Sequence, residues 1–167
     1  GGTQTGGLLF TRKSKMIEVV RDAIAEAVAE YVAAMPEHAD HPLLSRKESE
    51  FGFTHSWSCK LRSSGFHTNH VHPMGWISSA YYVSLPDALD DETKRQGWLK
   101  FGESHLELGG DDRPEHFVRP AVGHLVLFPS YFWHGTVPFE STSDRMTIAF
   151  DVVPGRVDPR TIATGPY

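Results

Sequence analysis

From Phe51 onward the chain is cut into short runs rich in aromatic and β-branched residues, at 52–62, 66–72, 76–85, 97–103, 116–119, 123–129, 133–138 and 145–153. Turn chemistry separates them: Ser63-Ser64-Gly65, Pro73-Met74-Gly75, a polar stretch at 86–96, Gly109-Gly110-Asp111-Asp112 and Pro120. The pattern predicts about eight strands. Ahead of them, Val20, Ile24, Ala27, Val28, Tyr31 and Val32 recur at the three and four spacing of one amphipathic helix over 15–35, which Pro36 stops. Many short strands with one long helix predict a mainly β fold, a double-stranded β-helix or jelly roll whose two sheets close over a pocket, with the helix packed on one sheet. In the last run Arg145, Thr147, Ala149 and Asp151 point one way and Met146, Ile148, Phe150 and Val152 the other. The polar face of such a strand meets solvent in an ordinary sheet. In a jelly-roll enzyme it lines the cavity instead, and the helix covers the apolar face.

A length of 167 residues predicts one domain, with a helical N-terminal part (1–50), a jelly-roll core (51–153) and a C-terminal tail (154–167). Hydrophobic residues at 40% and charged ones at 22% are a globular balance, unlike that of a disordered chain. The net charge of −5, with 16 scattered basic residues, offers no footprint for a phosphate backbone, so no nucleic-acid partner is expected. The longest apolar runs, such as Leu125-Val126-Leu127-Phe128, are far short of the roughly 18 residues of a membrane span. A single cysteine, Cys59, cannot form an internal disulfide; this points to a reducing compartment, and a cytoplasmic location is expected. The chain begins Gly-Gly-Thr-Gln-Thr-Gly-Gly without an initiator methionine, which leaves room for an upstream segment.

Ten histidines is a high count for this length. Each alone reads as an ordinary core or surface imidazole, and spacing has to decide. His70 and His72 stand at i and i+2 in Phe66-His67-Thr68-Asn69-His70-Val71-His72, so on a strand both project from one face, and His67 and Asn69 from the other. Two such ligands can meet one metal. The candidate third is His134, 62 residues beyond His72, followed by Gly135, which suggests a close backbone approach. Eleven residues later comes Arg145, whose guanidinium can hold a carboxylate by two parallel hydrogen bonds. Of the other pairs, His38-Ala39-Asp40 reads as solvated loop. His105-Leu106-Glu107 leaves too little chain for the strands that must precede His134. Cys59, in the alternation His55, Trp57, Cys59, Leu61, reads as a buried small apolar group; Phe66, Trp76 and Trp133 stand near the expected mouth of the site, where aromatics can shield it, although single aromatics of this kind are more often core.

The order His-x-His, a distal His, then Arg about ten residues on with a hydroxyl residue two beyond it, Arg145-Met146-Thr147, resembles the iron(II)- and 2-oxoglutarate-dependent oxygenases. The resemblance extends to Tyr81-Tyr82-Val83, Gly97-Trp98-Leu99-Lys100-Phe101 and Gly123-His124-Leu125-Val126-Leu127-Phe128-Pro129, and covers roughly 52–153. It is nearest to the bacterial and phage branch related to prolyl hydroxylases. It implies a cupin-like fold, a metal site of His70, His72 and His134, and Arg145 on the distal carboxylate of 2-oxoglutarate, assisted by Tyr82 and Thr147. It further implies an iron(II) centre with positions for the oxo-acid and dioxygen, and hydroxylation of a substrate C–H bond with release of succinate and carbon dioxide. His72 departs from the pattern, because it stands where the usual two-histidine site has Asp or Glu, and it makes the site one charge more positive. Asp151, on the face of Arg145, is the candidate to stand behind the ligands.

Two rival readings fit the same residues. A cupin-type dioxygenase or isomerase uses three histidines, which suits His72, but needs no carboxylate clamp such as Arg145 and Tyr82. A non-catalytic jelly-roll binding module would use the histidines structurally. The substrate can be a small molecule or a peptide, and the oligomeric state is open.

Overall fold

A computed structural model describes residues 2–6, 8–106 and 111–158. Eight strands and one long helix build it: β1 (Gly2–Gln4), α1 (Lys15–Ala34), β2 (Phe51–Leu61), β3 (Ile77–Ser84), β4 (Leu99–Phe101), β5 (His116–Val118), β6 (Leu125–Pro129), β7 (His134–Thr136) and β8 (Arg145–Pro154). Two antiparallel sheets result, one in the order β1-β2-β8-β3-β6 and a smaller one in the order β5-β4-β7. They face each other as the two walls of a jelly roll.

The helix forms where the three-and-four spacing expects it. Met35 caps it in an extended conformation, and Pro36 follows, without an N–H to continue the ladder. Ile24, Val28 and Val32 are buried against Ile77, Ile148, Phe150 and Val152 of the larger sheet, with Val20 and Tyr31 packed at the rim. Each fully buried aliphatic side chain of this kind stabilises the fold by about 1.5–3 kcal/mol. The even positions of β8 therefore face α1. Its odd positions Arg145, Thr147 and Ala149 line the cavity between the sheets, so the polar face is the inner one.

A β-bulge in β2 between Phe53 and His55 switches its faces. Phe53 packs with Phe10 and Phe150 in the helix-side core, whereas His55 and Trp57 look into the cavity. A second apolar cluster of Leu99, Phe101 and Phe128 closes the space between the sheets. No helix among the described residues is long and apolar enough to cross a membrane.

Two expectations are corrected. The run 66–72 is not a strand. It is an irregular segment held to β7 by one isolated bridge, with His70 N–H donating to His134 O and His134 N–H to His70 O, both at 3.0 Å. A strand that was not expected, β1, pairs antiparallel with the end of β2. Most of the predicted tail, 159–167, lies outside the described residues.

Candidate functional site

A cavity of about 1100 Å³ opens between the sheets. His70, His72 and His134 meet on its wall, each offering a ligand atom within 4.8 Å of the others. Ring centroids lie 4.3 Å apart for His70 and His134, 5.0 Å for His70 and His72, and 5.2 Å for His72 and His134. On a regular strand the i, i+2 spacing alone would bring His70 and His72 together; here convergence comes instead from the bridge to β7 and from His72 N–H donating to Ser130 O at 2.8 Å. Gly135 permits the approach, because a Cβ there would run into Asn69 Oδ1 and stand 2.9 Å from His67 O. His67 and Asn69, expected on the opposite face, line the same cavity, since the segment does not alternate like a strand.

Each of the three rings is oriented through Nδ1. That of His70 donates to Thr68 O at 2.7 Å and that of His134 to Phe132 O at 2.9 Å. That of His72 meets both carboxylate oxygens of Asp151, at 2.7 and 2.8 Å. Carbonyls only accept, so His70 and His134 carry their proton on Nδ1 and keep the Nε2 lone pair for a ligand. Burial, the largest influence, lowers the pKa of His134 to about 3 and that of His70 below its usual value. Both are neutral donors at physiological pH.

Arg145 begins β8 and lines the same cavity. It is 2% exposed. Burial works against its charge, and no carboxylate among the described residues pairs with it. Its Nε and the hydroxyl of Tyr82 are buried without a hydrogen-bond partner among those residues. The guanidinium carbon stands 5.1 Å from the centre of the Tyr82 ring, and buried Thr147 lines the same cavity. A buried cation with an unused donor and a buried hydroxyl beside it suit an entering carboxylate. The histidines, three nitrogen donors held in one tautomer, suit a divalent transition metal such as iron(II).

Other candidates take different places. Asp151 stands behind His72, as expected, 1% exposed, with its Oδ1 also 2.7 Å from Ser78 Oγ. A site with a carboxylate 2.7 Å from one imidazole is not one charge more positive than the two-histidine, one-carboxylate arrangement, which corrects that expectation. His105 lines the cavity with its ring 5.0 Å from that of Trp133, outside the three-histidine group, and Glu107 lies outside the described residues. Phe66 is at the mouth, half exposed. Trp76 is not: it is buried in the helix-side core and donates from Nε1 to Leu43 O at 2.8 Å.

Four residues of the cavity were not among the expected site residues. Trp57 stacks on His72 at 5.8 Å. His67 sits with Nε2 3.0 Å from Cys59 Sγ and Nδ1 3.3 Å from Thr136 Oγ1. Gln4 and Thr5, carried in by β1, reach the cavity rim. For Trp57 the alternation of β2 was the available signal, since it places Trp57 beside His55.

A family model described as "Putative 2OG-Fe(II) oxygenase" matches residues 55–151, more than half of the chain. No curated protein matches the sequence. Among solved structures, a Pseudomonas putida prolyl-4-hydroxylase is 14% identical with a TM-score of 0.57, the alignment covering 92% of this chain and 70% of that one. The viral collagen prolyl hydroxylase of Paramecium bursaria Chlorella virus-1, in its 2OG complex, is 11% identical with a TM-score of 0.54, covering 91% and 78%. The chain spans half the length of an oxidoreductase of the 2OG-Fe(II) oxygenase family from Burkholderia pseudomallei, at 13% identity, 68% of this chain and a TM-score of 0.49. At these identities the likeness is one of fold.

Proposed function

The chain belongs to the 2-oxoglutarate- and iron(II)-dependent oxygenase family, and on that premise we propose that it hydroxylates a C–H bond of its substrate, with release of succinate and carbon dioxide. Its cofactor is iron(II) and its co-substrate 2-oxoglutarate. The observation that carries the finer reading is that one cavity holds a three-imidazole donor set and, apart from it, a buried guanidinium with an unused donor.

In this reading His70, His72 and His134 hold the metal through Nε2, and Arg145, Tyr82 and Thr147 receive the distal carboxylate of 2-oxoglutarate. Iron(II) bound there supplies dioxygen activation coupled to the oxidative decarboxylation of the oxo-acid. The work of the chain is positional. Thr68 and Phe132 carbonyls and the Asp151 carboxylate fix the imidazole rings. Arg145 and Tyr82 orient the oxo-acid by its far end, which fixes where its keto-acid end falls. Trp57 against His72 and Phe128 against His134, with ring centroids 4.6 Å apart in the second pair, keep bulk water from the donor set. The prolyl hydroxylase neighbours support hydroxylation as the reaction, on a carbon of a peptide or of a small molecule.

A three-histidine metal enzyme without a co-substrate is the second reading, favoured by the donor set itself. Arg145 speaks against it, because nothing in that chemistry occupies a buried cation. The test is anaerobic addition of iron(II) and then 2-oxoglutarate, followed by air. A visible charge-transfer band that needs both, and succinate formed in step with 2-oxoglutarate consumed, are the expected results. Iron binding with neither band nor succinate would favour the second reading.

A further inference from the structure

We propose that Asp151 acts through His72 as the carboxylate of this metal site, setting the affinity for iron(II) and the electron density on it. The proposal rests on the reading of His70, His72 and His134 as iron ligands.

The three imidazoles are not held alike. His70 and His134 lean on neutral backbone carbonyls, of Thr68 and Phe132. Only His72, at the position where the usual site has an acid, leans on a charge. Asp151 is carried there by β8, paired in register with Ser78 of β3 and His55 of β2. It is 1% exposed, and among the described residues its carboxylate meets His72 and the Ser78 hydroxyl, with no lysine or arginine in ion-pair range.

A carboxylate taken out of water without a cation is expensive, by several kcal/mol in real proteins. The cost is offset when a divalent metal stands across the imidazole, because the Asp151–His72 pair then delivers negative charge to the cation through the ring. Charge counting gives the same answer. A divalent ion, three neutral imidazoles and one buried carboxylate sum to the same net charge as a divalent ion, two imidazoles and one ligating carboxylate. The site has moved its carboxylate back by the width of a ring and kept its charge. Trp57, stacked on His72 at 5.8 Å and 30°, holds the intervening ring in place. Asp151 is thus a positioning residue with an electrostatic task.

Asp151→Asn, nearly isosteric, separates charge from shape. Iron(II) affinity, read by competition with a chromogenic chelator under anaerobic conditions, is expected to fall about 10- to 100-fold. The iron-to-2-oxoglutarate charge-transfer band is expected to move to shorter wavelength, because an iron with less negative charge nearby gives up its electron less readily. Melting of the metal-free proteins reports whether the fold is kept. His72→Asp decides the matter even if position 151 tolerates no change: with Asp151 retained, two carboxylates crowd one another, so this variant is expected to bind iron(II) more weakly than the parent. His72→Asp combined with Asp151→Asn leaves one carboxylate and is expected to recover binding relative to His72→Asp alone.

Unchanged affinity and an unmoved band in folded Asp151→Asn would overturn the proposal. So would His72→Asp binding as tightly as the parent, since the acid at 72 would then act without regard to 151. A parent protein that fails to bind iron(II) would overturn the metal reading itself, which is a different result from a parent that binds and a variant that binds equally.

Discussion

A guanidinium at 2% exposure with an orphaned Nε has few reasons to be kept, and an anion arriving from outside is the one that matches its cavity. Each hydrogen bond to a charged group is worth about 1.5–3 kcal/mol, so Arg145→Ala is expected to raise the 2-oxoglutarate requirement by roughly two orders of magnitude or more. Arg145→Lys should recover part of it, lacking the planar fork. Iron(II) binding should hardly change; titration of the charge-transfer band in both ligands measures the two effects separately. His67 carries a second prediction. Burial first, then the charge of Arg145, holds its pKa at about 4 against an ordinary 6.5. The fold therefore favours the neutral ring: the stabilisation is whole above pH 6.5 and is lost as pH falls from there toward 4, by about 3 kcal/mol in all. His67→Asn should flatten the fall in melting temperature between pH 7.5 and 5, and an equal fall in both proteins would count against the assignment. The meeting of His70 with His134, and the place of Arg145 in the same cavity, were legible from spacing and residue type. His67 was not, because its contacts are with Cys59 of β2 and Thr136 of β7, which only the folded chain brings beside it.

Between elements, the contact most sensitive to a single atom is that of β7 with the segment before His70. A methyl group on Gly135 meets Asn69 Oδ1 and stands 2.9 Å from His67 O, and the backbone carbonyl cannot swing aside as a side chain would. Overpacking of this kind costs about 1–3 kcal/mol. Gly135→Ala is expected to push residues 67–70 off β7, lowering iron(II) affinity at least about tenfold while α1 stays on its sheet; metal titration beside a far-ultraviolet spectrum checks both halves. The elements that the sequence foretold well are those whose side chains face two environments. The helix has an apolar stripe, and β8 has alternating polar and apolar residues, because one side packs and the other does not. Residues 66–72 were misread as a strand for the opposite reason: their shape comes from backbone bonds to His134 and Ser130, which leave no periodic mark. The strand β1 escaped notice likewise, since Gly2, Thr3 and Gln4 are all exposed and join β2 by main-chain pairing alone.

For the whole molecule, binding at the cavity is linked to folding. Iron(II) and 2-oxoglutarate, bound as proposed, would bind only the native state, which alone assembles their site, so each at 100 times its dissociation constant would add about 2.7 kcal/mol. At this chain length that corresponds to a rise of roughly 5–10 °C in melting temperature for each ligand. Anaerobic melting should show two additive steps, metal first and oxo-acid second, with Arg145→Ala losing only the second; loss of both would place Arg145 in the framework rather than the site. The partition of β8 reaches further. Along its ten residues, neighbours in sequence serve different masters: Ile148, Phe150 and Val152 pack in the helix-side core, whereas Arg145 and Thr147 face the cavity and Asp151 meets His72. The two duties alternate residue by residue along one strand, so how tightly this protein would hold its proposed ligands and how firmly its helix stays on the sheet can be tuned at neighbouring positions, one residue apart.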